Sequence, residues 1–148
     1  MVLSGPLGAG KTLFAKGLAQ GLGVAPEEVT SPTFAICSEY DLADGRRIAH
    51  LDGYRLKSAA ELEGAGFLDL LVPGTIVLVE WGERFRDALP GDRLEIEISR
   101  PGEIPTQRRL DAVACGPAAN RVLAQWEARL LAEGGQQLDL ERLEETDG

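Results

Sequence analysis

The sequence predicts an α/β fold of three layers, with helices on both faces of a mixed sheet. Three observations carry this. Thr75-Ile76-Val77-Leu78-Val79-Glu80-Trp81 is a near-continuous apolar, β-prone run after a Pro73-Gly74 turn, the pattern of a central parallel strand buried on both faces. Gly5-Pro6-Leu7-Gly8-Ala9-Gly10-Lys11-Thr12 matches G-x-x-x-x-G-K-[ST] at every fixed position, the phosphate-binding loop that joins a strand to a helix. Alternating apolar segments near the C-terminus add antiparallel strands. Together they describe a P-loop NTPase fold with a mixed sheet. Its N-terminal strand region is shortened, because only Val2 and Leu3 supply apolar residues before Ser4.

The loop's chemistry follows from its spacing. Gly5, Gly8 and Gly10 let the backbone turn tightly enough, through Leu7 and Ala9, to aim successive N–H groups into one anion-binding nest. Lys11 is expected to supply a charge to the β- and γ-phosphates, and the Thr12 hydroxyl to hold Mg²⁺. From Thr12 to Leu22, Phe14, Leu18 and Leu22 recur every fourth residue beside Ala15 and Ala19, which predicts an amphipathic helix whose positive end joins the nest.

In chain order, Gly23 and Pro26 end that helix, and Thr30-Ser31-Pro32-Thr33-Phe34 reads as a loop entering a strand over Phe34 to Leu42. Asp44-Gly45 is a tight turn, and Arg47 to Asp52 is the returning arm of a hairpin. His50, Asp52, Tyr54 and Arg55 then crowd one strand end, where open α/β sheets place ligand sites. Ser58 with Glu61 forms a capping-box pattern for a helix over Ser58 to Leu71, broken near Gly64 and Gly66. Glu80 closes the central strand with a carboxylate, where such folds place a second group near the metal. A short helix is expected over Glu83 to Leu89. Strands are expected over Arg93 to Ser99 and Thr106 to Cys115, joined near Pro101-Gly102. A last helix over Ala118 to Leu131 presents Val122, Leu123, Trp126 and Leu130.

Composition bounds the rest. With 148 residues, 44% apolar and 26% charged, the chain supports one domain with a core. That domain is expected over 1–132, followed by an acidic tail over 133–148 that frays. No apolar run nears the roughly 20 residues that span a bilayer, and Met-Val-Leu-Ser has no secretory character. Cys37 and Cys115 are too few for a disulfide scaffold and read as small buried hydrophobes, so a reduced, cytoplasmic setting is expected. Net charge is −9, of which residues 133–148 carry −5. Such a chain is not expected to grip nucleic acid strongly, because phosphate contacts need a basic surface.

Four blocks in order, Gly5 to Thr12, Ser31-Pro32-Thr33-Phe34, His50-Leu51-Asp52-Gly53-Tyr54-Arg55 and Val79-Glu80-Trp81, make the sequence resemble the TsaE family, P-loop ATPases of bacterial tRNA threonylcarbamoyladenosine biosynthesis. The resemblance implies ATP and Mg²⁺ as cofactors, weak ATP hydrolysis, and TsaB and TsaD as partners. TsaD modifies adenosine 37 of tRNA, and the ATPase resets that complex between rounds. It also implies residue roles. Glu80 matches the Mg²⁺-site carboxylate, with a capping or solvated role as the alternative. Asp52 is similar to the essential acid that orients water, with a turn cap beside Gly53 as the alternative. Thr33 resembles a switch threonine that senses the γ-phosphate or Mg²⁺; it could equally be an ordinary strand residue. His50 reads as a structural or interface residue. Tyr54 and Arg55 could reach nucleotide or partner, and Trp81 is a core lid or a stacking group. With four residues ahead of Gly5, the sequence leaves open whether the base-binding half of the pocket is complete. Two rival functions share the motif: a nucleotide-dependent binding module with negligible turnover, and a small-molecule P-loop kinase. The kinase needs an arginine-bearing lid that no segment suggests.

Overall fold

A computed structural model describes residues 1–29 and 35–134. One mixed sheet holds six strands: β1 (Val2–Ser4), β2 (Cys37–Asp41), β3 (Arg47–Asp52), β4 (Thr75–Glu80), β5 (Arg93–Ser99) and β6 (Arg109–Cys115). Their spatial order is β2-β3-β4-β1-β5-β6. The inner strands β3, β4, β1 and β5 run parallel, and β2 and β6 close the edges antiparallel. The three helices are α1 (Lys11–Gly21), α2 (Ala59–Gly64) and α3 (Pro117–Ala132). Shorter 3₁₀ turns span Gly53–Arg55, Phe67–Leu70 and Gly82–Ala88.

The layers follow from the two-residue period of the strands. Leu3, Ile48, Leu78 and Ile96 point to one face and pack with Ala15 and Ala19 of α1 and Ala119 of α3. Val2, Leu51 and Val79 point to the other and pack with Leu62, Phe67 and Phe85. His50 and Asp52 share the parity of Ile48, and Glu80 that of Leu78, so all three belong to the α1 face. Parallel pairing puts Asp52 opposite Glu80, and Glu80 opposite Leu3. The ends of β3, β4 and β1 therefore converge at the start of α1.

Several expected elements keep their place with altered bounds. β2 begins at Cys37, not Phe34, which lies outside the described residues. Ile36 is exposed, and its carbonyl accepts the Asp52 N–H at 2.9 Å. The Ser58 hydroxyl caps α2 by accepting from Glu61 N–H at 3.2 Å, as its spacing predicts. The helix stops at Gly64, and Gly66 turns left-handed at φ 87° before the 3₁₀ turn that begins at Phe67. On α1 the buried residues are Lys11, Ala15 and Ala19, and the two alanines let the helix approach the sheet closely. Phe14, Leu18 and Leu22 lie half-buried at the margin, Phe14 6.2 Å from Trp126 between ring centres. On α3, Val122 is 52% exposed, so the packed face is narrower than expected and rests on Ala119, Leu123 and Trp126. Cys37 and Cys115 are free thiols and half-buried, not fully buried. Burial, with the charge of Glu39, pushes the Cys37 thiol up to about 11. The tail expected over 133–148 lies outside the described residues from 135 onward. Among the described residues no helix is long and apolar enough to cross a membrane.

The start of α3 is capped from a distance. Asp92 accepts from the N–H groups of Ala118 and Ala119, each at 2.9 Å. Those two bonds, helped by Arg121, hold its carboxyl below the ordinary aspartate range. A carboxyl depressed by folding stabilises above its unfolded pKa, and the gain disappears as pH falls through the folded value. Asp92→Ala is therefore expected to lower the thermal midpoint at neutral pH, with the deficit shrinking in acid. Melts of both proteins from pH 7 to 3 check this, and a deficit that does not change with pH contradicts it.

Candidate nucleotide and metal site

The phosphate loop is built by backbone constraints that its sequence anticipates. Gly5 has φ +129°, and a Cβ there would collide with the carbonyl of Ile98 on β5. Gly10 precedes α1 with φ 112° in the left-handed region, which glycine adopts without steric cost. No side chain caps α1, and its first turn holds no acidic residue. Its first N–H groups are left for an anion, and the helix dipole favours the same charge.

Around this loop lies a cleft of about 280 Å³ lined by Leu7, Gly8, Gly10, Lys11, Thr12, Asp52, Tyr54, Glu80 and Trp81. The structure thus brings most of the candidates together; Gly5, Ala9, His50 and Arg55 are not in the lining, and Thr33, in the block Ser31 to Phe34, lies outside the described residues. Lys11 is 4% exposed. Its ammonium donates to the Gly5 and Pro6 carbonyls at 2.6 and 3.0 Å and sits 3.7 Å from the Trp81 ring centre. Burial lowers its pKa, while the carboxylates of Glu80, Glu83 and Asp52 oppose the shift. The loop thus holds a cation ready for phosphate, stabilised meanwhile by carbonyls and an aromatic face.

Glu80 is 3% exposed, and both of its oxygens are engaged. Oε2 accepts from Thr12 Oγ1 at 3.1 Å, and Oε1 lies 2.7 Å from His50 Nε2. The capped or solvated alternative for Glu80 does not fit this burial. His50, at 2% exposure, is a structural residue that fixes the Glu80 carboxylate. Asp52 takes the turn-cap position and also stands at the cleft. Oδ1 accepts from Tyr54 N–H at 3.0 Å and caps the Gly53–Arg55 turn, while the side chain also lines the cleft.

Trp81 is the one non-glycine with positive φ (61°) among the described residues. That conformation is strained for a bulky side chain. It follows the Trp81 N–H bond to Leu3 O at 2.9 Å and turns the ring over Lys11 and to 5.2 Å from Tyr54. Trp81 thus packs against Lys11 and Tyr54 at the cleft.

Three neighbours escape sequence reasoning. Arg100 Nη2 donates to Gly8 O at 2.8 Å, and Arg108 Nε to Ala9 O at 2.7 Å. Glu83 Oε2 is buried with no hydrogen-bond partner among the described residues. The available signal was two arginines flanking a Pro-Gly connection in an acidic chain.

The residues fit Mg²⁺ with a nucleotide. Thr12 Oγ1 and Glu80 Oε2 are 3.1 Å apart, close to the ~3 Å between adjacent oxygens of an octahedral ion with bonds of about 2.1 Å. Among the described residues no three His, Cys, Asp or Glu side chains form a dedicated metal cluster.

A phosphate loop on a mixed sheet, with a carboxylate against its threonine, defines a P-loop protein of the nucleotide-binding class. The family model described as "Threonylcarbamoyl adenosine biosynthesis protein TsaE" matches residues 1–110. The chain belongs to the TsaE family. It is 43% identical over 101 residues to the tRNA threonylcarbamoyladenosine biosynthesis protein TsaE of Streptomyces coelicolor, covering 68% of each chain. It is 40% identical over 117 residues to the Bacillus subtilis protein of that name, covering 78% of this chain and 70% of the relative. The crystal structure of YdiB from Bacillus subtilis superposes with a TM-score of 0.63 at 33% identity, over 86% of this chain and 76% of that one.

Proposed function

We propose that this chain binds ATP with Mg²⁺, hydrolyses it slowly, and serves tRNA threonylcarbamoyladenosine biosynthesis by resetting a TsaB–TsaD complex. The observation that carries the reading is the convergence of Lys11, Thr12, Asp52 and Glu80 on one cleft, in a chain whose relatives are named for that pathway.

Each residue has a task. Lys11 exchanges its carbonyl partners for the β- and γ-phosphate oxygens. The unfilled N–H groups of the loop and of α1 donate to the same phosphates. Thr12 and Glu80 would hold Mg²⁺, which supplies charge neutralisation to the phosphates when bound. His50 keeps the Glu80 carboxylate oriented, as partners behind metal ligands do. Asp52, whose second oxygen has no partner among the described residues, orients the attacking water. Trp81 and Tyr54 cover the cleft. Thr33 is proposed as the γ-phosphate sensor on sequence grounds alone. The negative charge of the chain suits a protein that acts on a tRNA enzyme while making little contact with tRNA itself.

The bond from Tyr54 N–H to Asp52 favours a second reading, a nucleotide-dependent binding module with negligible turnover. Phosphate release above the Lys11→Ala background excludes it. The proposal itself is tested by passing purified TsaB and TsaD over the immobilised chain with Mg·ATP, Mg·ADP or no nucleotide. Retention that changes with the nucleotide is the expected result. No retention in any state contradicts it.

A further inference from the structure

The carbonyl groups of the phosphate loop are nearly all committed. Gly5 O and Pro6 O accept from Lys11 Nζ, Pro6 O also from Ala9 N–H at 3.1 Å, and Gly10 O from Phe14 N–H at 2.8 Å. Gly8 O and Ala9 O accept from Arg100 and Arg108, which lie 92 and 99 residues away in sequence. The N–H groups of Gly8, Gly10, Lys11 and Thr12 have no acceptor among the described residues.

We propose that Arg100 and Arg108 are positioning residues for nucleotide binding, fixing and polarising the phosphate loop from behind through the Gly8 and Ala9 carbonyls. The inference rests on the nucleotide-binding reading and deepens it. A peptide group whose oxygen accepts from a cation becomes a stronger N–H donor, because hydrogen bonds in series polarise one another. Ala9 O and Gly10 N–H belong to one peptide, so Arg108 strengthens a donor that faces the anion. Gly8 O belongs to the peptide whose N–H closes the turn onto Pro6 O, so Arg100 stiffens the loop. Arg108 is itself held by Nη1 bonds to Pro105 O and Gln107 O at 2.6 and 2.7 Å and is partly buried. Arg100 is exposed and, among the described residues, makes one bond. Arg108 is therefore the stronger of the two. A lysine cannot reproduce its several fixed donors.

The test is ATP titration of wild type, Arg108→Ala, Arg108→Lys and Arg100→Ala, with hydrogen exchange of the loop amides measured without nucleotide. Arg108→Ala is expected to bind ATP roughly tenfold more weakly, the loss of one charge-assisted bond. Arg108→Lys and Arg100→Ala should lose less, and the Ala9 amide, bonded to Pro6 O at 3.1 Å, should exchange faster in all three. Millimolar ethylguanidine should restore part of the Arg108→Ala affinity, which a general folding defect would not permit. If Arg108→Ala does not fold, the other two variants carry the comparison. Wild-type binding of ATP with every variant within about twofold of it overturns this inference alone. No binding by wild type overturns the nucleotide reading and this inference with it.

Discussion

Lys11→Ala is expected to weaken ATP binding by about a hundredfold while the protein still folds. Lys11 is a buried ammonium with no competing ligand beyond two loop carbonyls and the Trp81 ring. Its charge-assisted bonds to phosphate are worth about 1.5–3 kcal/mol each, and two of them give a loss of that order. Stability should change little or rise at neutral pH, because burial already lowers the lysine pKa and alanine removes a charge that pays for desolvation. Isothermal titration of ATP into wild type and Lys11→Ala checks the affinity with a readout that does not depend on the Lys11 ammonium, which in the wild type sits 3.7 Å from the Trp81 ring centre. Unchanged affinity in a folded Lys11→Ala protein contradicts the assignment.

Asp52→Asn should retain the fold and ATP binding and slow hydrolysis by roughly a hundredfold or more, the usual contribution of a group that positions or accepts a proton. Asparagine is the informative substitution. Its side-chain oxygen still accepts from Tyr54 N–H, so the cap seen at 3.0 Å survives, whereas alanine removes cap and charge together. Asp52 also stands opposite Glu80 across β3 and β4. Removing one of two neighbouring negative charges should make the metal-free protein slightly more stable. Melts without Mg²⁺, paired with phosphate-release assays, separate the roles. Normal hydrolysis by Asp52→Asn, with a much lower melt confined to Asp52→Ala, would make Asp52 a structural cap, leaving the mechanism to Glu80.

Much of this site was legible in the residues, for identifiable reasons. The loop from Gly5 to Thr12 is local, and its glycines and lysine act within one turn. The Arg47 to Asp52 arm and the Thr75 to Trp81 run declare themselves by β-prone residues beside turn residues; the first keeps its bounds, and the second forms a strand that ends one residue earlier, at Glu80. Asp52 and Glu80 each stand at the end of one of those segments, which the sequence itself displays. Other features depend on partners that no local pattern encodes. The buried His50–Glu80 pair joins two strands 30 residues apart. Arg100 and Arg108 meet the loop only because β5 lies beside β1. The left-handed Trp81 follows an ordinary apolar run and breaks its local preference. Val122 has the spacing of a packed residue, yet α3 meets the sheet along a stripe too narrow to include it.

The central claim is that Thr12 and Glu80 make the cleft a Mg²⁺–nucleotide site. Isothermal titration of ATP into wild type and Glu80→Gln, each with and without Mg²⁺, tests it most directly. The expected result is one ATP per chain, bound more tightly with Mg²⁺ by wild type, with that increment lost in Glu80→Gln while metal-free affinity stays near wild type. Equal affinity of wild type with and without Mg²⁺, or an equal loss by Glu80→Gln under both conditions, would contradict it.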